Sequence, residues 1–195
     1  QLLCQNGWEE SERSEMMRRV EENNELLLQI ISDILDLAKL EAGTLTFTPR
    51  DMDVNEACKS VASAIEMRVK EGVAVKLDCQ SEGCHIVCDP NRLKQVLLNF
   101  ATNASKFTDR GSITIGYFLP KRGRIRFFVE DTGIGIAPEK KAAVFERFVK
   151  LNSFAQGTGL GLQISKEIVS KMKGEIGVES ELGKGSTFWF EIPME

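Results

Sequence analysis

No apolar run in this sequence approaches the ~18 residues that a membrane span requires. Nor is there a lysine- and arginine-rich cluster: 25 Lys+Arg stand against 29 Asp+Glu, a net charge of −4. That balance lacks the basic footprint of a nucleic-acid binder. The opening QLLCQNGWEE has no initiator Met and no signal-peptide pattern, so the chain reads as a piece of a longer protein. It is expected in the cytoplasm, with any membrane anchor of the full-length protein in upstream segments. Five cysteines make an odd count, and their spacing follows no secreted disulfide framework, so reduced thiols are expected. Cys79, Cys84, His85 and Cys88 are close enough to raise the question of zinc. A strand over 84–88 would send Cys84 and His85 to opposite faces, and a metal centre is therefore not expected there. His85 is the only histidine. On a strand it is a structural residue rather than one offered for phosphorylation. Internal repeats are absent.

What remains is an ordinary globular composition, 42% apolar and 28% charged over 195 residues. That length suits one domain of about 150 residues with an appended element. The appended element is residues 1–43, mainly one long helix. From Met17 an apolar seam runs through Val20, Asn24, Leu27, Ile31, Ile34 and Ala38 in alternating steps of three and four, interrupted only by Asn24. Leu26, Ile30, Leu37 and Leu40 widen it beyond a two-stranded seam, which points to a four-helix bundle shared between two chains. Gly43 supplies the stop.

Residues 44–195 alternate α and β signals. Leu45–Thr48 reads as a short strand, and Asp53 to Glu56 as a capping box opening a helix that runs to about Gly72. Strands at Val73–Leu77 and His85–Cys88 flank a turn at 81–83. Asp89-Pro90 is an N-cap with proline in the first helical position, opening a helix to about Phe107. Hairpins at 112–130 and 175–192 bracket a helix over 161–173. The sum is an α+β fold: a two-layer sandwich with a mixed, mostly antiparallel sheet of about five strands, helices on one face, and a long helix in front.

The helix after Asp89 carries a polar stripe. At ~100° per residue, Arg92, Gln95, Asn99, Asn103 and Lys106 fall within roughly 80° of one another. Arg92 and Gln95 read as solvated. Asn is a poor helix former, so Asn99 and Asn103 need a reason to sit mid-helix. An amide oxygen is a hard ligand suited to Mg2+, and a lysine one turn on can meet phosphate oxygens. Asp131-Thr-Gly-Ile-Gly-Ile136 follows a strand. Its glycines permit a tight turn and close backbone approach, and an ionised Asp131 can only accept, which suits an exocyclic amine. Gly157-Thr-Gly-Leu-Gly161 opens a helix whose free N–H groups favour phosphate. Neither segment matches the Walker loop or the dinucleotide fingerprint. Gly183-Lys-Gly-Ser-Thr187 sits at a hairpin tip. Each piece alone is also compatible with a plain turn.

Together and in order, Asn99-x3-Asn103 with Lys106, DTGIGI, FERF (145–148), GTGLGL and GKGSTF resemble the N box, first glycine box, F box, second and third glycine boxes of sensor histidine kinases of two-component systems. The helix EENNELLLQIISDILDLAKLEAG resembles the second helix of that family's dimerisation and phosphotransfer domain. The resemblance implies the Bergerat ATP-binding fold of the gyrase, chaperone and histidine kinase superfamily, with ATP and Mg2+ as cofactors. It makes Asn103 the Mg2+ ligand, Lys106 a phosphate contact and Asn99 part of the phosphate site. Asp131 would recognise the adenine amine, Gly133, Gly135 and Ile136 would shape the base pocket, and Thr187 would join the water network around Asp131. Gly157, Thr158, Gly159, Leu160 and Gly161 would hinge an ATP lid over 149–156, with Phe145 and Phe148 as anchors and Arg147 and Gln156 as phosphate contacts.

The resemblance further implies transfer of the γ-phosphoryl to a histidine upstream of residue 1, relay to the aspartate of a response regulator receiver domain, and a homodimeric full-length protein. The fragment alone would then bind nucleotide but barely autophosphorylate. Gyrase- and chaperone-type ATPases place a Glu where Asn99 stands, to activate water, and an amide cannot serve as that base. An anti-sigma-type serine kinase is disfavoured by the heptad helix. A non-catalytic nucleotide-sensing dimerisation module would not need all of these boxes intact.

Overall fold

The computed structural model describes residues 10–80, 83–121, 123–147, 149 and 159–194. The chain divides into two compact units, Gln1–Thr44 and Leu45–Glu195. In the first, α1 spans Glu10–Glu41. Its end follows from Gly43: at φ +66° this residue takes the left-handed turn, while Thr44 N–H bonds to Lys39 C=O at 2.9 Å and Gly43 N–H to Leu40 C=O at 3.1 Å. That pair is a Schellman cap. Met17, Val20, Leu27, Leu28, Ile31, Ile34 and Leu35 are each roughly half exposed along it. No helix among the described residues is long and apolar enough to cross a membrane.

The second unit holds β1 (Arg50–Asp53), α2 (Val54–Glu66), β2 (Val73–Cys79), β3 (His85–Cys88), α3 (Pro90–Phe107), β4 (Gly111–Lys121), β5 (Arg124–Asp131), α4 (Pro138–Lys141), α5 (Gly161–Lys171), β6 (Glu175–Glu181) and β7 (Gly185–Pro193). Five strands form one sheet in the order β2-β4-β5-β7-β6, with β2 parallel to β4 and every other pair antiparallel. This is the mixed, mostly antiparallel sheet that the sequence predicts. Helices α2, α3 and α5 cover one face. Phe100 of α3 meets Phe188 and Phe190 at ring separations of 5.5 and 6.1 Å, and Phe127 stacks on Phe190 at 4.9 Å. Tyr117 is fully buried, and its hydroxyl donates to Asn55 Oδ1 at 3.1 Å. On the opposite face the Arg126 guanidinium lies 4.1 Å from the Trp189 ring, and Arg124 and Arg126 both donate to Glu191.

Two local expectations change. Residues 45–48 form no strand. The Thr48 amide and hydroxyl instead both donate to Asp89 Oδ2, at 2.9 and 3.2 Å, so a side chain pins this segment where a ladder was expected. Strands β2 and β3, consecutive in the chain, belong to different sheets: β3 runs antiparallel to β1, and β2 joins the main sheet. Helix α2 stops at Glu66, several residues before Gly72, once its apolar face is complete at Ile65. Both N-caps form as expected: Asp53 accepts from Asn55 N–H, and Asp89 accepts from Asn91 and Arg92 N–H. The pleat of β3 buries Ile86 and Cys88 and exposes His85 and Val87, and His85 Nδ1 lies 2.9 Å from Asp51 Oδ2.

Candidate active site

Period-two alternation on β5 sends Ile125, Phe127, Val129 and Asp131 toward the helices. Asp131 is therefore a carboxylate at the end of an apolar row, with 6% of its surface exposed. Its Oδ1 accepts from Gly133 N–H at 2.8 Å. Burial raises its pKa above the ordinary carboxylate range, and the amides of Gly133 and Ser186 pull it partly back. Thr108, at the end of α3, is fully buried beside this carboxyl, and its hydroxyl favours the charged form as the Gly133 amide does.

Thr187 does not belong to this cluster. In the β5–β7 register Asp131 pairs with Ser186, while Thr187 pairs with Glu130 and, across β6, with Glu179. The pleat puts Ser186, Phe188 and Phe190 on the helix side and Thr187 on the other face of the sheet. The sequence holds the signal for this. Phe188, Phe190 and Ile192 mark the buried parity of β7, and Ser186 shares it. Ser186 is accordingly the residue that belongs beside Asp131.

The glycine box after β5 is stapled at both ends. Ile134 N–H bonds to Phe107 C=O at 3.2 Å, and Gly183 N–H bonds to Ile134 C=O at 2.8 Å. Ile136 N–H donates to Ser180 Oγ at 2.8 Å, and the same oxygen reaches Gly185 C=O at 2.8 Å and Ser186 Oγ at 3.0 Å. Gly135 has φ +66°, and a Cβ there would collide with the Glu181 carbonyl. A Cβ on Gly133 would collide with the Phe107 carbonyl. Both glycines thus let two backbones touch, and the box becomes a fixed wall tied to α3 and to the β6–β7 hairpin. Ile136 is buried in it.

The second wall is α3 against α5. Asn99 and Asn103 are half-buried and Lys106 is exposed on the stripe predicted for them; Arg92 Nη1 donates to Gln95 Oε1 at 2.7 Å. Asn99 Nδ2 donates to Ser165 Oγ of α5 at 2.9 Å, and Ser165 Oγ in turn reaches Gly161 C=O at 2.9 Å. A Cβ on Gly161 would meet Asn99 Oδ1, so glycine here leaves room for the Asn99 carboxamide as it stands. Gly159 has φ +72° and makes the turn into α5, Leu160 is buried, and as the N-cap residue it makes no side-chain hydrogen bond to the helix's first amides. Arg147 is exposed beyond α4, and Phe145 packs edge-on to Phe188 at 6.3 Å. Phe148, Gln156, Gly157, Thr158 and nearly all of the expected lid lie outside the described residues. Ser165, Ser180, Ser186 and Thr108 are the residues that motif reading passes over, because each acts through a contact distant in sequence.

Residues 88–195 match the family described as histidine kinase-, DNA gyrase B-, and HSP90-like ATPase. The autoinducer 2 sensor kinase/phosphatase LuxQ of Vibrio vulnificus is 37% identical over 184 residues, which is 89% of this chain and 22% of LuxQ. The sensor histidine kinase GacS of Pseudomonas protegens is 36% identical over 90% of this chain and 20% of its own length. The chain thus spans about a fifth of these relatives. Among solved structures, full-length ShkA in complex with AMPPNP superposes with a TM-score of 0.82 at 36% identity, over 98% of this chain and 41% of that one. The catalytic domain of the histidine kinase ThkA gives 0.67 at 30% identity, over 77% of this chain and 97% of that domain. With the N box on α3, the glycine box walled in beside Asp131 and matches of this extent, the chain belongs to the histidine kinase-, gyrase- and HSP90-like ATPase family, on its histidine kinase branch.

Proposed function

We infer that this chain binds ATP with Mg2+ and donates the γ-phosphoryl group to a histidine outside its own sequence, as the catalytic region of a two-component sensor kinase. Residues 44–195 are assigned to the ATP-binding domain and residues 1–43 to part of a dimerisation and phosphotransfer hairpin. The observation that carries the reading is Asn99. It stands on the α3 stripe against the entry of α5, where an ATPase needs a carboxylate to activate water, and an amide has no basic site to do so. Histidine phosphorylation needs no such base from this domain, because the imidazole is itself the nucleophile. His85 does not fill that role, since it sits on β3 beside Asp51.

The residues fit the cofactors. Buried Asp131 offers an acceptor for the adenine amine, its carboxyl held by the Gly133 amide and flanked by Thr108. Asn103 supplies a hard oxygen for Mg2+, and Lys106 and the first amides of α5 offer positive charge to phosphates. Gly157, Thr158, Gln156 and Arg147 complete the proposed phosphate contacts. Mg2+, when bound, neutralises phosphate charge; the protein's part is positioning. The partners proposed with this reading are a receiver domain and a second copy of the full-length chain.

The test is isothermal titration of the chain with ADP and AMPPNP, with and without Mg2+, beside incubation with γ-labelled ATP. Binding without turnover, and label appearing only on a histidine-bearing helical hairpin added in trans, is expected. Steady phosphate release without a phosphoprotein would replace this reading with a gyrase-type ATPase.

A further inference from the structure

The Ser165 hydroxyl sits between two helices that carry the proposed phosphate site. It is buried on α5, with 2% of the residue's surface exposed. Its oxygen lies 2.9 Å from Gly161 C=O, one turn back, and 2.9 Å from Asn99 Nδ2 on α3. A serine hydroxyl has one proton. A carbonyl can only accept, so that proton goes to Gly161 C=O, and the Ser165 oxygen is left to accept. Only the nitrogen end of the Asn99 carboxamide can satisfy it, which leaves Asn99 Oδ1 against Gly161 at the entry of α5. Glycine at 161 makes room for this arrangement. The two ends of a carboxamide have nearly the same shape and opposite electrostatics, and an amide free to flip would present a donor or an acceptor to the site indifferently.

We propose that Ser165 is a positioning residue that locks the Asn99 carboxamide with its oxygen toward the phosphate site, so that Asn99 favours the cation of a Mg-nucleotide over a bare phosphate. The proposal rests on the nucleotide-site reading above. Oxygen outward is attractive to Mg2+; nitrogen outward would attract phosphate oxygens and repel the metal. Ser165 therefore sets the sign of the Asn99 contribution while remaining outside the site itself.

Nucleotide affinity is measured by titration with ADP in Mg2+ and in EDTA, for wild type, Ser165→Ala, Ser165→Thr, Asn99→Ala and the Ser165→Ala/Asn99→Ala double variant. Side-chain amide resonances of Asn99 are followed in parallel by 15N NMR in the free protein. Ser165→Ala is expected to weaken Mg-ADP binding by about three- to tenfold, the worth of one hydrogen bond. It should leave metal-free ADP binding unchanged or slightly tighter. Thr at 165 keeps the hydroxyl and should restore the ratio, and Ser165→Ala should have no further effect once Asn99 is Ala. The dispersed Asn99 NH2 pair should collapse toward free-amide shifts in Ser165→Ala alone. An equal loss with and without Mg2+, a loss that persists on the Asn99→Ala background, or an unchanged NH2 pair would each overturn the proposal. Failure of the wild type to bind nucleotide would overturn the site reading instead, and the NH2 resonances would still decide whether Ser165 holds the amide.

Discussion

Asp131 shows at the scale of one side chain how a sheet sets the charge of a carboxylate. Its place in the buried parity of β5 and its raised pKa have one cause, removal from water beside an apolar row. In the proposed site, a proton on this carboxyl would turn an acceptor for the adenine amine into a donor facing a donor. Since the folded pKa is raised, ADP affinity should fall as pH is lowered, starting above the ordinary carboxylate range, and be flat toward neutrality. The stability of the free protein should run the other way: a raised folded pKa means stability is greatest when the group is protonated and declines as pH rises through it. Asp131→Asn should abolish the acid limb of the affinity curve and weaken binding at neutral pH by roughly tenfold to a hundredfold, the worth of a hydrogen bond to a charged group. Titration calorimetry between mildly acidic and neutral pH checks both, and a wild-type affinity insensitive to acid would remove Asp131 from base recognition. The place of this residue was legible in the sequence, as a carboxylate that follows a strand and precedes two closely spaced glycines.

At the scale of the element, the lesson of β7 is that a motif must be read through the pleat. GKGSTF offers two adjacent hydroxyls, and composition does not choose between them. The strand does: Ser186 shares the side of Phe188 and Phe190, and Thr187 faces Glu130 and Glu179. Ser186→Ala should therefore weaken nucleotide binding several-fold, and Thr187→Ala should leave it within about twofold, since a substitution on the open face away from the site is worth at most a few tenths of a kcal/mol. A larger effect from Thr187 than from Ser186 in the same titration would contradict the register. The starts of α2 and α3 were legible from their caps and apolar faces, and α3 ends at Phe107 as its pattern predicts, whereas the short α4 was not read. Residues 45–48 were misread because their partner is the Asp89 side chain, which no pattern in the segment announces. Contacts between elements were the hidden part. The Asn99–Ser165 bond joins residues 66 apart, and the Ser180 hub joins a glycine box to a hairpin 44 residues on.

At the scale of the whole molecule, the two units present opposite surfaces to water. The Leu45–Glu195 unit closes its core, with Phe100, Phe127, Phe190 and Ile168 fully buried. The α1 helix leaves Met17, Val20, Leu27, Ile31 and Ile34 half exposed at heptad spacing. Burying such surface is worth about 25 cal/mol per Å2, and a seam of this length gives a second copy of the helix a sufficient reason to associate. The chain should therefore show concentration-dependent self-association in sedimentation equilibrium. Leu27→Glu with Ile31→Glu should shift it to monomer, because two charges in one seam are costly to desolvate and repel their counterparts across it. ADP affinity should be the same in both forms, since none of the residues proposed to hold nucleotide lies on α1. A chain that stays monomeric at several hundred micromolar would show that the seam is covered in some other way. A loss of ADP binding in the double variant would show that the nucleotide site depends on association, and the division of labour between the two units would then have to be redrawn.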